Sequence, residues 1–173
     1  MAGVRTGGCL CGAVRYESAG DPVLSLHCHC RDCQRSSGTA YIAAMRVPAA
    51  GFRIIQGAPK RYVAKADSGN EITRAFCGDC GSPLYVQVST RPDIVGLRVG
   101  TLDDPSGFQA EADIFVKSAQ PWDHMNPALP KSRPIRRENR IEPGQTYDFS
   151  STISELVNSL MRRFTTARRS LVR

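Results

Sequence analysis

Seven cysteines stand in three tight groups: Cys9-Leu-Cys11, Cys28-His-Cys30-Arg-Asp-Cys33 and Cys77-Gly-Asp-Cys80. An odd number cannot all pair within one chain, and a reducing compartment keeps thiols free, so the grouping points to metal rather than to disulfides. Zinc suits such a set: it needs no redox change and takes four ligands tetrahedrally, about 2.3 Å from each sulfur. The two-residue gap in Cys77–Cys80 predicts a tight turn aiming both sulfurs at one ion, with Gly78 and Gly81 supplying backbone freedom. The one-residue gap in Cys9–Cys11 puts both side chains on one face if that segment is extended. Each pair offers two ligands. Cys9, Cys11, Cys77 and Cys80 together can therefore form a closed structural site that staples distant parts of the chain.

Cys28, Cys30 and Cys33 then have no fourth cysteine. Three protein ligands plus a water or substrate is the arrangement of a catalytic zinc. If Cys28 and Cys30 face the ion from an extended segment, His27 and His29 point the other way, which favours an open position. A closed site of three Cys and one His, through His27 or His29, is the alternative. Buried thiols, a redox CxxC pair and iron–sulfur ligation fit the spacing less well, and the βαβ context of a redox motif is missing.

These groups need short, well-braced elements. β-Branched and aromatic residues predict strands at 14–16, 23–26, 41–47, 52–55, 71–76, 84–88, 94–99 and 114–116. No segment of 1–130 holds a helical period for three turns. The expected fold class is mainly β, a single domain over 1–130. Over 131–173 the composition changes to a basic, Pro-rich strap. It is followed by a C-terminal amphipathic helix that starts at the capping box Thr152-Ile-Ser-Glu155 and carries Ile153, Leu156, Val157, Leu160, Met161 and Phe164 as its apolar stripe.

The chain has 173 residues and a net charge of +7, but the charge is unevenly placed. Residues 1–130 hold 13 Lys/Arg against 12 Asp/Glu, while 131–173 hold 10 against 4. The near-neutral body excludes a broad nucleic-acid surface there. The tail helix is expected to pack on its own domain or form a homodimer, with nucleic-acid or membrane contact as the other readings. No apolar run is long enough to span a membrane, and Met1 to Gly12 lacks a secretory apolar stretch, so a cytoplasmic location is expected.

Three cysteine motifs and two later ones occur in an order that resembles the glutathione-dependent formaldehyde-activating enzyme family, whose domain centromere protein V also carries. The matching stretches are Gly7–Gly12, Cys28–Gly38, Phe76–Leu84, Gly100–Pro105, and Ile114-Phe-Val116 followed by Pro121-Trp122. The resemblance covers roughly residues 5–125. It implies a β-tent of stacked antiparallel sheets and two Zn2+ per chain. One is structural at Cys9, Cys11, Cys77 and Cys80; the other is catalytic at Cys28, Cys30 and Cys33. It further implies a carbon–sulfur lyase that joins a glutathione-type thiol to formaldehyde or a similar small carbonyl, giving S-hydroxymethylglutathione. Two positions depart from the family, and both bear on the expected substrate. Asp113 precedes the Ile-Phe-Val motif where His is common, and Gln34 follows Cys33 where a basic residue is common.

Zinc with three thiolates carries a net −1, and a fourth thiolate makes −2, so cations should sit nearby. Arg31 and Arg35 flank Cys33 and are the expected partners, for the centre or for ligand carboxylates. Ser36, with Ser37 and Thr39, offers hydroxyl donors. Trp122 is expected to wall a substrate pocket or fill the core. His29 and His124 are the available neutral-pH proton carriers. The contrasting function is a zinc-dependent thiol or glutathione carrier, a binding module without turnover.

Overall fold

The computed structural model describes residues 3–66 and 68–132. In chain order its strands are β1 (Arg5–Gly8), β2 (Arg15–Ser18), β3 (Leu24–Cys28), β4 (Ile42–Pro48), β5 (Phe52–Gln56), β6 (Lys60–Lys65), β7 (Glu71–Phe76), β8 (Pro83–Val88), β9 (Arg91–Arg98), β10 (Ala112–Ile114) and β11 (Lys131–Ser132). One α-helix, α1 (Arg31–Ser37), follows β3. A three-stranded sheet runs β1-β2-β5, and an eight-stranded sheet runs β11-β10-β3-β4-β9-β8-β7-β6. The fold is mainly β with stacked sheets. The larger sheet is mixed rather than wholly antiparallel, because β10 lies parallel to both β3 and β11.

The alternation of β4 explains how one sheet serves two cores. Met45 and Val47, with Ala43, face the main apolar cluster of Tyr16, Leu84, Tyr85, Val95 and Leu97. Ile42 and Ala44, on the opposite face, join a smaller cluster with Leu26, Cys28 and Ile114. Each cluster carries one cysteine group. Cys9 and Cys77 are buried in the first, with Cys80 packed against it; Cys28 is buried in the second, with Cys30 and Cys33 against it.

Register carries three arginines to the second face. Arg98 pairs with Ala44 and Gly96 pairs with Arg46 across β9 and β4. Val86 pairs with Gly96 across β8 and β9, and Arg74 pairs with Val86 across β7 and β8. Directly paired residues share a face. Arg46, Arg74 and Arg98 therefore lie on the side of the sheet that holds Cys28.

Four elements fall outside the expected strands, one of them β11, two residues at the start of the expected strap. β1 is Arg-Thr-Gly-Gly and β6 is Lys-Arg-Tyr-Val-Ala-Lys, both poor in the residues that mark strands. α1 is seven residues long, less than two full turns, too short to show a period. The strap and C-terminal amphipathic helix expected over 131–173, and with them the homodimer contact, lie outside the described residues from 133 onward. Among the described residues no helix is long and apolar enough to cross a membrane.

Candidate metal centre and adjoining cavity

Cys9, Cys11, Cys77 and Cys80 bring their four sulfurs within 4.8 Å of one another. Cys9 and Cys11 lie 3.5 Å apart and Cys11 and Cys77 3.8 Å apart, sulfur to sulfur. A tetrahedron of sulfurs about 2.3 Å from a central zinc has edges of about 3.8 Å, so the set fits that ion. Residues 9–11 form a turn, not the extended segment expected. The Gly12 N–H closes on the Cys9 carbonyl at 3.1 Å, and the Val14 N–H donates to the Cys9 sulfur at 3.2 Å. That Val14 bond leads in drawing the Cys9 thiol below its usual value. The Ala13 backbone pulls the Cys11 thiol down, but the Cys9 and Cys80 sulfurs outweigh it and leave Cys11 pushed up to about 12.

The second knuckle closes through the Gly81 N–H to the Cys77 carbonyl, 3.0 Å, with Gly81 at φ +75°. Gly81 thus supplies a left-handed backbone. Gly78 serves differently: a Cβ there would meet the Lys60 side chain at 2.7 Å. Ser82 ties the two pairs together. Its hydroxyl accepts the Leu10 N–H at 3.1 Å and donates to the Cys80 sulfur at 3.2 Å. The Ser82 hydroxyl, with its N–H, holds the Cys80 thiol down to about 5.

The second group is Cys28, Cys30 and Cys33, again with sulfurs within 4.8 Å. Cys28 ends β3, and Cys30 is the N-cap of α1, its sulfur accepting the Cys33 N–H at 3.4 Å. The Cys28 and Cys33 thiols, both aimed at Cys30, hold it far down, to about 2. The Cys30 and Cys33 sulfurs, helped by burial, push the Cys28 thiol up. Cys33 is also raised: the Cys28 contact draws it down, but the Cys30 sulfur and burial prevail. Sulfurs this close oppose one another's ionisation. Ionising all three needs a cation at their centre, which is the donor chemistry of zinc.

No histidine joins this cluster. His27 Nδ1 lies 3.1 Å from Asp113 Oδ1, His29 Nε2 3.1 Å from the same oxygen, and His29 Nδ1 2.8 Å from Asp123 Oδ2. His29 is wholly buried, and both its ring nitrogens face carboxylates. Among the described residues no fourth Cys, His, Asp or Glu completes the group. Asp113 itself is buried, which pushes its carboxyl up. Hydrogen bonds from Lys131, His29 and His27 more than reverse that and leave it below the usual carboxylate range.

The positive charge around the three sulfurs comes from the strands. Burial draws the Arg98 guanidinium down, while the charges of the Cys33 and Cys28 sulfurs oppose this. Burial acts likewise on Arg46, again opposed by Cys28. Arg74 bonds Asp32 Oδ2 at 3.1 Å. A cavity of about 160 Å³ opens beside the centre, lined by Arg74, Arg98, Ser36, Tyr62, Phe76 and Tyr85 among others.

The residues expected to bind substrate divide. Ser36 lines this cavity, and its hydroxyl donates to the Cys33 carbonyl at 3.1 Å. Arg31 donates to the Gln34 side chain, and Arg35 is exposed in the last turn of α1. Neither lines the cavity. Trp122 is 63% exposed and neither walls the cavity nor fills the core. Ser37 bonds the Cys33 carbonyl at 2.8 Å and the Thr39 hydroxyl at 2.7 Å, turn roles that continue from the helix end. His124 is exposed.

The two departures also sit in the scaffold. Gln34 is buried and donates to the carbonyls of His29 at 2.7 Å and Ser118 at 2.8 Å, clasping α1 to its surroundings. Asp113 holds the histidines on the side away from the sulfurs. Arg46, Arg74 and Arg98 escaped the sequence reading. Their signal was a charge set between core residues, as in Met45-Arg46-Val47 and Leu97-Arg98-Val99, where alternation must send it to the opposite face.

The β scaffold thus carries two all-cysteine donor sets, one of four sulfurs and one of three, each close-set enough to hold a metal ion. The model of the glutathione-dependent formaldehyde-activating enzyme family matches residues 4–118, and the chain belongs to that family. The chain is also similar to a crystal structure of a Rhodobacter sphaeroides protein. That likeness has 20% identity and a TM-score of 0.47, and covers 73% of this chain and 99% of the other.

Proposed function

We propose that Cys28, Cys30 and Cys33 hold a catalytic zinc, that Cys9, Cys11, Cys77 and Cys80 hold a structural one, and that the protein is a carbon–sulfur lyase. Its reaction is the formation and breakdown of the adduct between a glutathione-type thiol and formaldehyde or a similar small carbonyl. Zinc at the three-cysteine centre supplies a binding position for a thiol as its thiolate, a nucleophile scarce at neutral pH because a free thiol has a pKa of about 8.5.

The chain's own residues do the rest. The two carboxylates on His29 and the one on His27 keep imidazoles away from the centre, so the fourth position stays open to ligand. Arg98 and Arg46, close to the sulfurs, offset the negative charge that gathers when a further thiolate arrives. The cavity beside Cys33 admits the ligand and limits the water around the reacting carbon. The observation that carries this reading is the trio of sulfurs without a histidine partner, set beside a cavity edged with arginine.

The test mixes protein, glutathione and formaldehyde and follows adduct formation by NMR exchange, with Cys30→Ser as control. Acceleration that is lost in the variant supports the lyase. Glutathione binding without acceleration, lost in the same variant, supports a carrier instead and removes the lyase reading.

A further inference from the structure

Two observations mark the cavity as an anion site. Arg98 is 7% exposed, and its Nε is buried with no hydrogen-bond partner. A buried guanidinium donor left unmatched costs free energy, and a buried charge is normally paired. Arg74, with its side chain 14% exposed, uses only part of its fork on Asp32, at 3.1 Å, and the guanidinium has five donors to offer. Both line the same cavity.

The cavity's size says what kind of anion. Its 160 Å³ equals about five water volumes, too large for a single oxyanion and below the few hundred Å³ usual for a whole ligand. It suits one end of a molecule: a carboxylate with a short carbon stem. The rings of Tyr62 and Phe76, on the same face of the sheet as Arg74, can cover such a stem, and two guanidinium groups match a carboxylate by paired donors. Arg98 pairs with Ala44 on the face of the sheet that holds Cys28, and the Ser36 hydroxyl donates to the Cys33 carbonyl at 3.1 Å, so this end lies near the three sulfurs.

We infer that the cavity is the carboxylate subsite of the thiol ligand: the ligand's sulfur goes to the Cys28–Cys30–Cys33 centre and its carboxylate to Arg98 and Arg74. The substrate class is then an acidic thiol, not a neutral or cationic one. This rests on the thiol reading of the centre given above.

The experiment loads the full chain with cobalt(II), whose sulfur charge-transfer absorbance reports each arriving thiolate. It titrates two matched pairs: β-mercaptopropionate against its amide, and glutathione against its diamide. Charge-assisted hydrogen bonds predict about a tenfold to hundredfold preference for the acid in at least one pair. That preference should collapse in Arg74→Met and shrink in Arg98→Lys. Arg98 is buried enough that its variants can disturb folding, so the wild-type comparison of acid with amide stands by itself as a test. Equal affinity within both pairs overturns the subsite while leaving thiol binding intact. A preference unchanged in Arg74→Met and Arg98→Lys also overturns the assignment. If no thiol alters the spectrum, the thiol reading itself fails and the subsite falls with it.

Discussion

Replacing Asp113 by alanine tests how the scaffold keeps histidine away from the Cys28–Cys30–Cys33 group. Asp113 accepts from His27 and His29 at 3.1 Å each, and from Lys131 on its other oxygen. Alanine leaves the buried His29 Nε2 and the Lys131 ammonium without that partner. Breaking a buried charged pair from one side costs about 3–5 kcal/mol. At about 2–4 °C per kcal/mol for a domain of this size, Tm should fall by roughly 6–20 °C. The pH dependence has a definite sign. The folded carboxyl lies below its unfolded value of about 3.9, so its contribution is complete above that value and fades as pH falls through the folded one. Urea denaturation of wild type and Asp113→Asn along a pH series should show the full gap at neutral pH, closing below about pH 4. Because His29 sits between Cys28 and Cys30, Asp113→Ala should also weaken metal retention at the three-cysteine centre by about tenfold to a hundredfold. A Tm within 2 °C or so of wild type, or a gap that persists to the lowest pH, would refute the reasoning.

Three further outcomes follow from the knuckles and the helix clasp. Gly81→Ala meets no atom within 4 Å but must hold φ +75°, so it should cost about 1–2 kcal/mol in urea melts. No loss would mean that the turn is not left-handed. Ser82→Ala removes the hydroxyl that holds Cys80 down to about 5. Zinc release from the four-cysteine site on acidification, followed with a chromogenic chelator, should then begin at higher pH than in wild type. Gln34→Leu strands the His29 and Ser118 carbonyls and should destabilise by about 1–3 kcal/mol per unmatched group, read by thermal melting.

Much of the site was readable because cysteine spacing is a local property. The three cysteine groups follow from short gaps in sequence, the joining of Cys9–Cys11 to Cys77–Cys80 follows from each pair offering two ligands, and the outward turn of His27 and His29 follows from strand alternation. β7 occupies 71–76, as its β-branched and aromatic content predicts. What stayed hidden is non-local. Arg74 and Arg98 reach the centre only through strand register across four neighbours, which no window along the chain contains. Arg31 and Arg35 are close to Cys33 in sequence, yet α1 turns them to solvent or to Gln34. β1 and β6 are strands because partners hold them, not by their own preference. Asp113 stands in a family motif and so reads as bearing on the substrate; the parallel pairing of β10 with β3 brings it to the half-buried His27 and the buried His29.

The central claim is unequal coordination, and zinc X-ray absorption on the metal-loaded full chain tests it most directly. The account predicts two zinc ions per chain and an average of about 3.5 sulfurs per zinc, rising to about 4 on addition of a thiol. An average of one nitrogen for every two zinc ions that does not change with thiol, a single zinc per chain, or iron in its place would contradict it.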